Sequence, residues 1–221
     1  MDRGQHKKPH RIQSAKQQAS DQEKAINRDR QKEKMLISAA QLFSEKGIAE
    51  TTLDEIAAGV GLTKPRLYFH FKDKREILNT CIDRALCQWK AAIDEIQASG
   101  LRPGEAALRA IVERYAEIAF QDFGICMMFN GINSLSSDER EAFSRQKADA
   151  DTGFKSLFAD AIPQEMLSRG DCEFLWLAVM SLVNGIAMMK EPPADRQQIL
   201  SRALDLMLAG STIKKADEIS I

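Results

Sequence analysis

Within 24 residues, between Thr51 and Lys74, this sequence of 221 residues sets out nine side chains that can donate hydrogen bonds: Thr51, Thr52, Thr63, Lys64, Arg66, Tyr68, His70, Lys72 and Lys74. Hydroxyls, ammonium groups and a guanidinium at this density suit a polyanion with a regular phosphate spacing. Thr51 and Thr52 can offer hydroxyls to one phosphate, joined there by the free amides of the helix that follows. Thr63, Lys64 and Arg66 fall in the first turn of a further helix, the end that meets base edges. Arg66 can give two bonds to a guanine, and the Pro65 ring can lie against a thymine methyl. Tyr68, His70, Lys72 and Lys74 are placed to grip backbone on the far side, while Leu67 and Phe71, four apart, face inward as core.

The elements that must hold these groups are legible nearby. Thr52-Leu-Asp-Glu55 has the form of a capping box, and Leu53, Ile56, Ala57 and Val60 line one face of the two-turn helix it opens. Gly61 supplies a turn and Leu62 a core contact. Thr63 then caps a third helix that carries Pro65 in its first turn and runs to about Phe71. Upstream, Leu36, Ala39, Ala40 and Phe43 recur at helical spacing in a first helix from Arg30 to Gly47. Residues 52–71 are therefore a helix-turn-helix, whose second helix fits the major groove of DNA.

Six prolines, twelve glycines and 6% aromatics, with abundant helix formers, predict an all-α chain. Beyond Lys72, helices are expected over 73–98, 104–121, 123–134, 137–161, 171–189 and 195–209, separated by glycine, proline and serine breaks. Residues 1–28 carry no apolar periodicity and read as a disordered basic tail, either a solvated extension or an arm along DNA. The net charge of −1 conceals an asymmetry, because residues 1–78 sum to +5 and residues 79–221 to −6. A polyanion would be drawn to the first part and repelled by the second. Four cysteines (Cys81, Cys87, Cys126, Cys172) show neither CxxC nor metal spacing, which predicts free thiols, no metal and a cytoplasmic location. The longest apolar stretch, Phe174 to Met189, falls short of a membrane span.

From Leu36 onward, the run AAQLFSEKGIAETTLDEIAAGVGLTKPRLYFHFKDKREIL resembles the DNA-binding domain of TetR-type (TetR/AcrR-like) transcriptional regulators. The resemblance covers residues 29–89. It is carried by Phe43, Gly47, Thr51-Thr52, Ile56-Ala57, Gly61, the Leu67-Tyr68-x-His70-Phe71 run and Lys72-x-Lys74. It implies that Thr52, Thr63, Lys64, Pro65, Arg66, Tyr68, His70 and Lys74 touch DNA. Two positions depart from the family pattern. Phe69 stands where a second tyrosine is common, which removes a hydroxyl for phosphate, and Pro65 stands where glycine is frequent, which removes a backbone donor.

The resemblance further implies that residues 90–221 form a larger helical domain for ligand binding and dimerisation. Such a domain has an internal pocket, for which Trp89, Tyr115, Met127, Met128, Phe129, Asn133, Phe154 and Met180 are candidates, and its last two helices form a four-helix bundle with a second subunit. Phe174, Leu175, Ala178, Leu182, Gly185, Ile186 and Met189, with Ile199, Ala203, Leu206 and Met207, suit that seam, small residues permitting close approach. The expectation is a homodimeric repressor on a palindromic double-stranded operator, responsive to a mostly apolar or aromatic small molecule and needing no cofactor. An architectural, effector-independent DNA-binding dimer and a redox sensor acting through Cys81, Cys87 or Cys126 are the alternatives. An enzyme is not expected, since the only histidine outside the tail is His70 and no nucleophile signature or glycine-rich phosphate loop is present.

Overall fold

Helices make up all the regular structure of the computed structural model, which describes residues 8–129, 135–163 and 169–217. The order is α1 (Lys8–Glu50), α2 (Leu53–Gly59), α3 (Lys64–Tyr68), α4 (Lys74–Ala98), α5 (Glu105–Ala119), α6 (Asp122–Phe129), α7 (Ser137–Ala161), α8 (Arg169–Ala187) and α9 (Pro193–Asp217). Helices α1–α3 form an N-terminal helix-turn-helix domain and the later helices a larger C-terminal one.

Helix α1 corrects the reading of the first residues. From Lys8 onward the stretch taken for a disordered tail is helical. Its Gln, Lys, Ala, Glu and Arg residues are good helix formers. They also continue a helix whose costly first turn is already formed and held by tertiary packing further along. The C-terminal half supplies that packing, with Met35, Leu36, Ala39, Ala40 and Phe43 fully buried. The helix breaks where expected, at Gly47, whose φ of 83° is open to glycine at no steric cost.

Two capping boxes set the starts of α2 and α7. Glu55 N donates to Thr52 Oγ1 at 3.2 Å while Thr52 N donates to the Glu55 carboxylate at 2.8 Å. Ser136 and Glu139 repeat the pattern at α7. Gly61, at φ 68°, makes the turn between α2 and α3, where Gly61 N donates to Ala58 O and Leu62 N to Ala57 O. Helix α3 is shorter than the sequence suggested and ends at Tyr68. Its N-cap residue Thr63 is extended and makes no side-chain cap bond.

The buried residues form one continuous core from Met35 to Leu204. Helix α4 makes this possible: it packs on α1 at one end and on α5, α6 and α7 along its length, so residue 89 divides a single helix rather than two bodies. Helix α6 packs on both α1 and α4, and α5 packs on α7, α8 and α9.

Hydrogen bonds from Lys46 and Thr52 hold the Glu55 carboxyl down to about 2, and bonds from Ser136 and Asn79 do the same for Glu139, also to about 2. A carboxyl depressed in the folded state contributes stability above its unfolded value of about 4.5, and that contribution is lost as pH falls toward 2. The melting temperature should therefore drop between pH 5 and pH 2.5, and Glu55→Gln and Glu139→Gln should flatten the drop. Melts followed by circular dichroism across that range provide the check; equally steep curves for both variants and wild type would count against it.

Candidate nucleic-acid interface

Helix α3 projects its first turn outward because Leu67 and Phe71 are buried on the opposite side. Thr63, Pro65 and Arg66 are exposed, Lys64 is half-buried, and Tyr68 is 50% and Phe69 67% exposed. Lys64 Nζ lies 2.8 Å from Asp54 Oδ2 on α2. Both groups are solvated, so Lys64 can exchange this partner for a phosphate at little cost. Arg66 Nη2 donates to Gln31 Oε1 on α1 at 3.0 Å, and its guanidinium sits 5.5 Å from the centre of the Phe69 ring.

Three expected donors turn out otherwise. Thr51 is buried, and its hydroxyl bonds the carbonyls of Gly47 at 2.8 Å and Leu42 at 3.2 Å, leaving Thr52 as the solvent-facing threonine of the pair. Lys74 departs further from the expected role: its ammonium donates to the carbonyls of Ile48, Ala49 (3.2 Å) and Thr51 (2.8 Å). A lysine has three N–H donors, so the group is spent on closing the segment after Gly47. His70 is half-buried, with Nε2 buried and without a partner among the described residues. Burial, reinforced by Arg66, Lys32 and Arg28, pushes its pKa down and favours the neutral imidazole.

Sequence reasoning missed the contribution of α1 beside α3. An open groove of about 480 Å³ runs between them, lined on the α1 side by Lys24, Asn27, Arg28 and Gln31 and on the other by Arg66 and Phe69. Nothing in the local pattern announced it, because these α1 residues have no apolar periodicity.

In the larger domain, three of the proposed pocket residues meet. Trp89 and Tyr115 stack with ring centres 5.1 Å apart, and Phe154 stands edge-on to Tyr115 at 5.1 Å. Trp176, 5.9 Å from Tyr115, extends this cluster and was not foreseen. Trp89 is fully buried, yet its indole N–H has no partner among the described residues. Met127 and Met180 are buried and Met128 is half-buried. Asn133 and the side chain of Phe129 lie outside the described residues. Among the described residues no group of three His, Cys, Asp or Glu could hold a metal ion.

The proposed seam divides by face. Phe174, Leu177, Ala178, Ser181 and Gly185 on α8, and Met188 just past its end, all point to solvent, Phe174 being 75% exposed, and Leu206 is 66% exposed on α9. Met189, Ile199 and Met207 are also exposed, whereas Leu175, Leu182 and Ala203 are half-buried. Ile186 does not belong to this face: it is 2% exposed and packs inward with Val179 and Val183. Leu177 and Met188 take its place at the i+3 spacings from Phe174 and Gly185. Cys81 and Cys126 are buried, and burial pushes the Cys126 thiol up to about 12 and the Cys81 thiol upward too, so neither presents a thiolate. Cys87 is exposed and Cys172 half-buried.

The model for bacterial regulatory proteins, tetR family, matches residues 36–81. The transcriptional repressor BepR of Brucella suis is 44% identical over 54 residues, 24% of this chain and 26% of that protein. The transcriptional regulator EthR of Mycolicibacterium smegmatis is 31% identical over 111 residues, 50% of this chain and 45% of that one. The chain thus spans less than half the length of these curated relatives. The TetR-family regulator PfmR of Thermus thermophilus superposes with a TM-score of 0.64 at 27% identity, over 79% of this chain and 93% of that one.

Because the Lys74 ammonium is committed inside the protein, Lys74→Met should lower unfolding stability by about 1.5–3 kcal/mol, as hydrogen bonds to a charged group do. It should leave the slope of log affinity for DNA against log salt unchanged. Urea titration and binding at several salt concentrations test both halves; a slope shallower by about 0.9 would return Lys74 to phosphate contact.

Proposed function

We propose that this chain, a TetR-type regulator whose family segment is residues 36–81, is a sequence-specific DNA-binding repressor that acts as a homodimer on a palindromic operator and releases it on binding a small molecule. The observation that carries this reading is the exposed first turn of α3, with Thr63, Lys64, Pro65 and Arg66 turned outward above the buried Leu67 and Phe71. Thr52, Tyr68 and the exposed Lys72 supply donors around it for backbone phosphates. A DNA-binding regulator rather than an enzyme, it would work in the cytoplasm beside the chromosome. No described helix is long and apolar enough to cross a membrane.

The aromatic cluster supports the effector half of the proposal. The rings of Trp89, Tyr115 and Phe154 pack directly on one another, and the unpartnered Trp89 N–H is the kind of isolated donor that would orient a mostly apolar ligand once the rings part to admit it. Signals have two physical routes to α3. Glu139, at the start of α7, pairs with Arg75 at 2.9 Å and accepts from Asn79, both in the first turns of α4. On the second route, Gln41 of α1 donates to Asp122 at the start of α6 at 3.1 Å. A ligand that shifts α4, α6 or α7 must therefore move the base on which α3 rests. To change operator affinity tenfold it need favour one spacing of the two reading helices by only about 1.4 kcal/mol.

Selection from a pool of random duplexes should return a palindrome that places the two copies of α3 about 34–36 Å apart, or a multiple of that. Arg66→Ala should relax one base pair per half-site by about 1–3 kcal/mol. Equal binding of selected and random duplexes would instead favour the architectural reading.

The outward face of α8 and α9 is the expected dimer seam. Phe174→Glu should give a monomer by light scattering, because a lone buried charge across a tight seam is strongly unfavourable. Operator affinity should fall with it, as a monomer carries only one reading helix. A Phe174→Glu protein that still runs as a dimer would place the interface elsewhere.

A further inference from the structure

Arg66 is the residue best suited to read a base, yet it does not wave freely from α3. Gln31, 35 positions earlier and on α1, accepts one N–H of its Nη2 at 3.0 Å, and the Phe69 ring lies beneath the guanidinium at 5.5 Å. A guanidinium has five N–H donors in a fixed planar fork, so one bond to Gln31 leaves four for a nucleobase. The hydrogen bond to the carboxamide restrains rotation of the fork, and the ring beneath limits how far it can swing. Phe69 is itself held by an edge-on contact with His70, ring centres 5.3 Å apart. Gln31 accepts from Arg66 while Lys64, two residues earlier on α3, is engaged by Asp54.

We propose that Gln31, outside the helix-turn-helix, and Phe69, just past α3, are specificity-determining residues that hold the Arg66 guanidinium in a preset orientation for base reading. This rests on α3 being the DNA-reading helix. The physical gain is preorganisation: a long side chain already ordered in the free protein loses less freedom on binding, and a fork fixed in angle rejects a base whose acceptors lie elsewhere. It also gives a reason for the α1 segment around Gln31 to lie alongside α3, and for an aromatic ring at position 69.

The test uses the full-length protein, its selected palindromic duplex, and three duplexes in which the base pair read by Arg66 is replaced. Gln31→Ala should reduce discrimination at that pair by about threefold to tenfold while changing affinity for an unrelated duplex by less than about twofold. Phe69→Ala should act in the same direction. Gln31→Glu retains an acceptor for the guanidinium, so it should keep the discrimination while lowering affinity for every duplex through its added negative charge. Gln31→Ala combined with Arg66→Ala should be no less selective than Arg66→Ala alone. Undiminished discrimination in Gln31→Ala overturns the proposal, as do multiplying losses in the double variant. Sharper discrimination in Gln31→Ala also overturns it, since Gln31 would then be a latch that restrains Arg66. Absence of any sequence preference in the wild type would bring down the DNA-reading function itself, an outcome separate from failure of the Gln31 variants.

Discussion

A five-residue helix cannot hold itself in water, because its one turn of hydrogen bonds does not repay the ordering of its backbone. Helix α3 exists only as part of a packed unit, and the N-terminal third of the chain is organised around that constraint. Leu67 and Phe71 anchor its inner side in the core. The turn through Gly61 is tied to α2 by the amides of Gly61 and Leu62. The capping box fixes where α2 starts, and the Lys74 ammonium gathers the carbonyls of Ile48, Ala49 and Thr51, closing the segment between α1 and α2. Each contact draws on a different part of the chain, and together they leave the first turn of α3 free of packing duties. Thr63 illustrates the result: it sits at the N-cap position but spends no side-chain bond on the helix.

The same dependence ties α3 to the rest of the molecule. Helix α4 begins at Lys74, inside the closure that holds the helix-turn-helix, and ends in the larger domain after contributing Ile77, Cys81, Ala85 and Trp89 to one uninterrupted core. Close-packed interiors transmit displacement rather than absorb it. Trp89 stacks on Tyr115 in the aromatic cluster while Arg75 and Asn79, on the same helix, hold the capping glutamate of α7. One rigid element therefore touches both the effector candidate site and the foundation of α3.

Helices α8 and α9 show how one apolar sequence serves two surfaces. The inward face of α8 carries Trp176, Val179, Val183 and Ile186, and the outward face Phe174, Leu177, Ala178 and Gly185, which Met188 continues just past the helix. Large apolar side chains at this exposure, interleaved with Ala, Ser and Gly, are what makes this face the proposed dimer seam. On α9, Leu200 and Leu204 face the core while Ile199 and Leu206 face outward.

What the sequence determined by itself was local or periodic. The Thr52–Glu55 capping box, the break at Gly47, the inward direction of Leu67 and Phe71 and the limits of α7 depend on residues within four positions of one another, and the structure has them as read. The fold class followed from composition for the same reason. What only the tertiary structure decided involves partners far apart in the chain. Lys74 and Thr51 looked like free donors until acceptors up to 26 and nine residues away claimed them. Gln31 had no visible purpose until Arg66, 35 residues later, was set beside it. Ile186 and Leu177 could not be assigned to a face because α8 is apolar nearly all round, so periodicity gives no preferred side and only packing against α5, α7 and α9 orients it. The helix from Lys8 escaped notice because helices are recognised in sequence by a periodic apolar stripe, and residues 8–28 carry none.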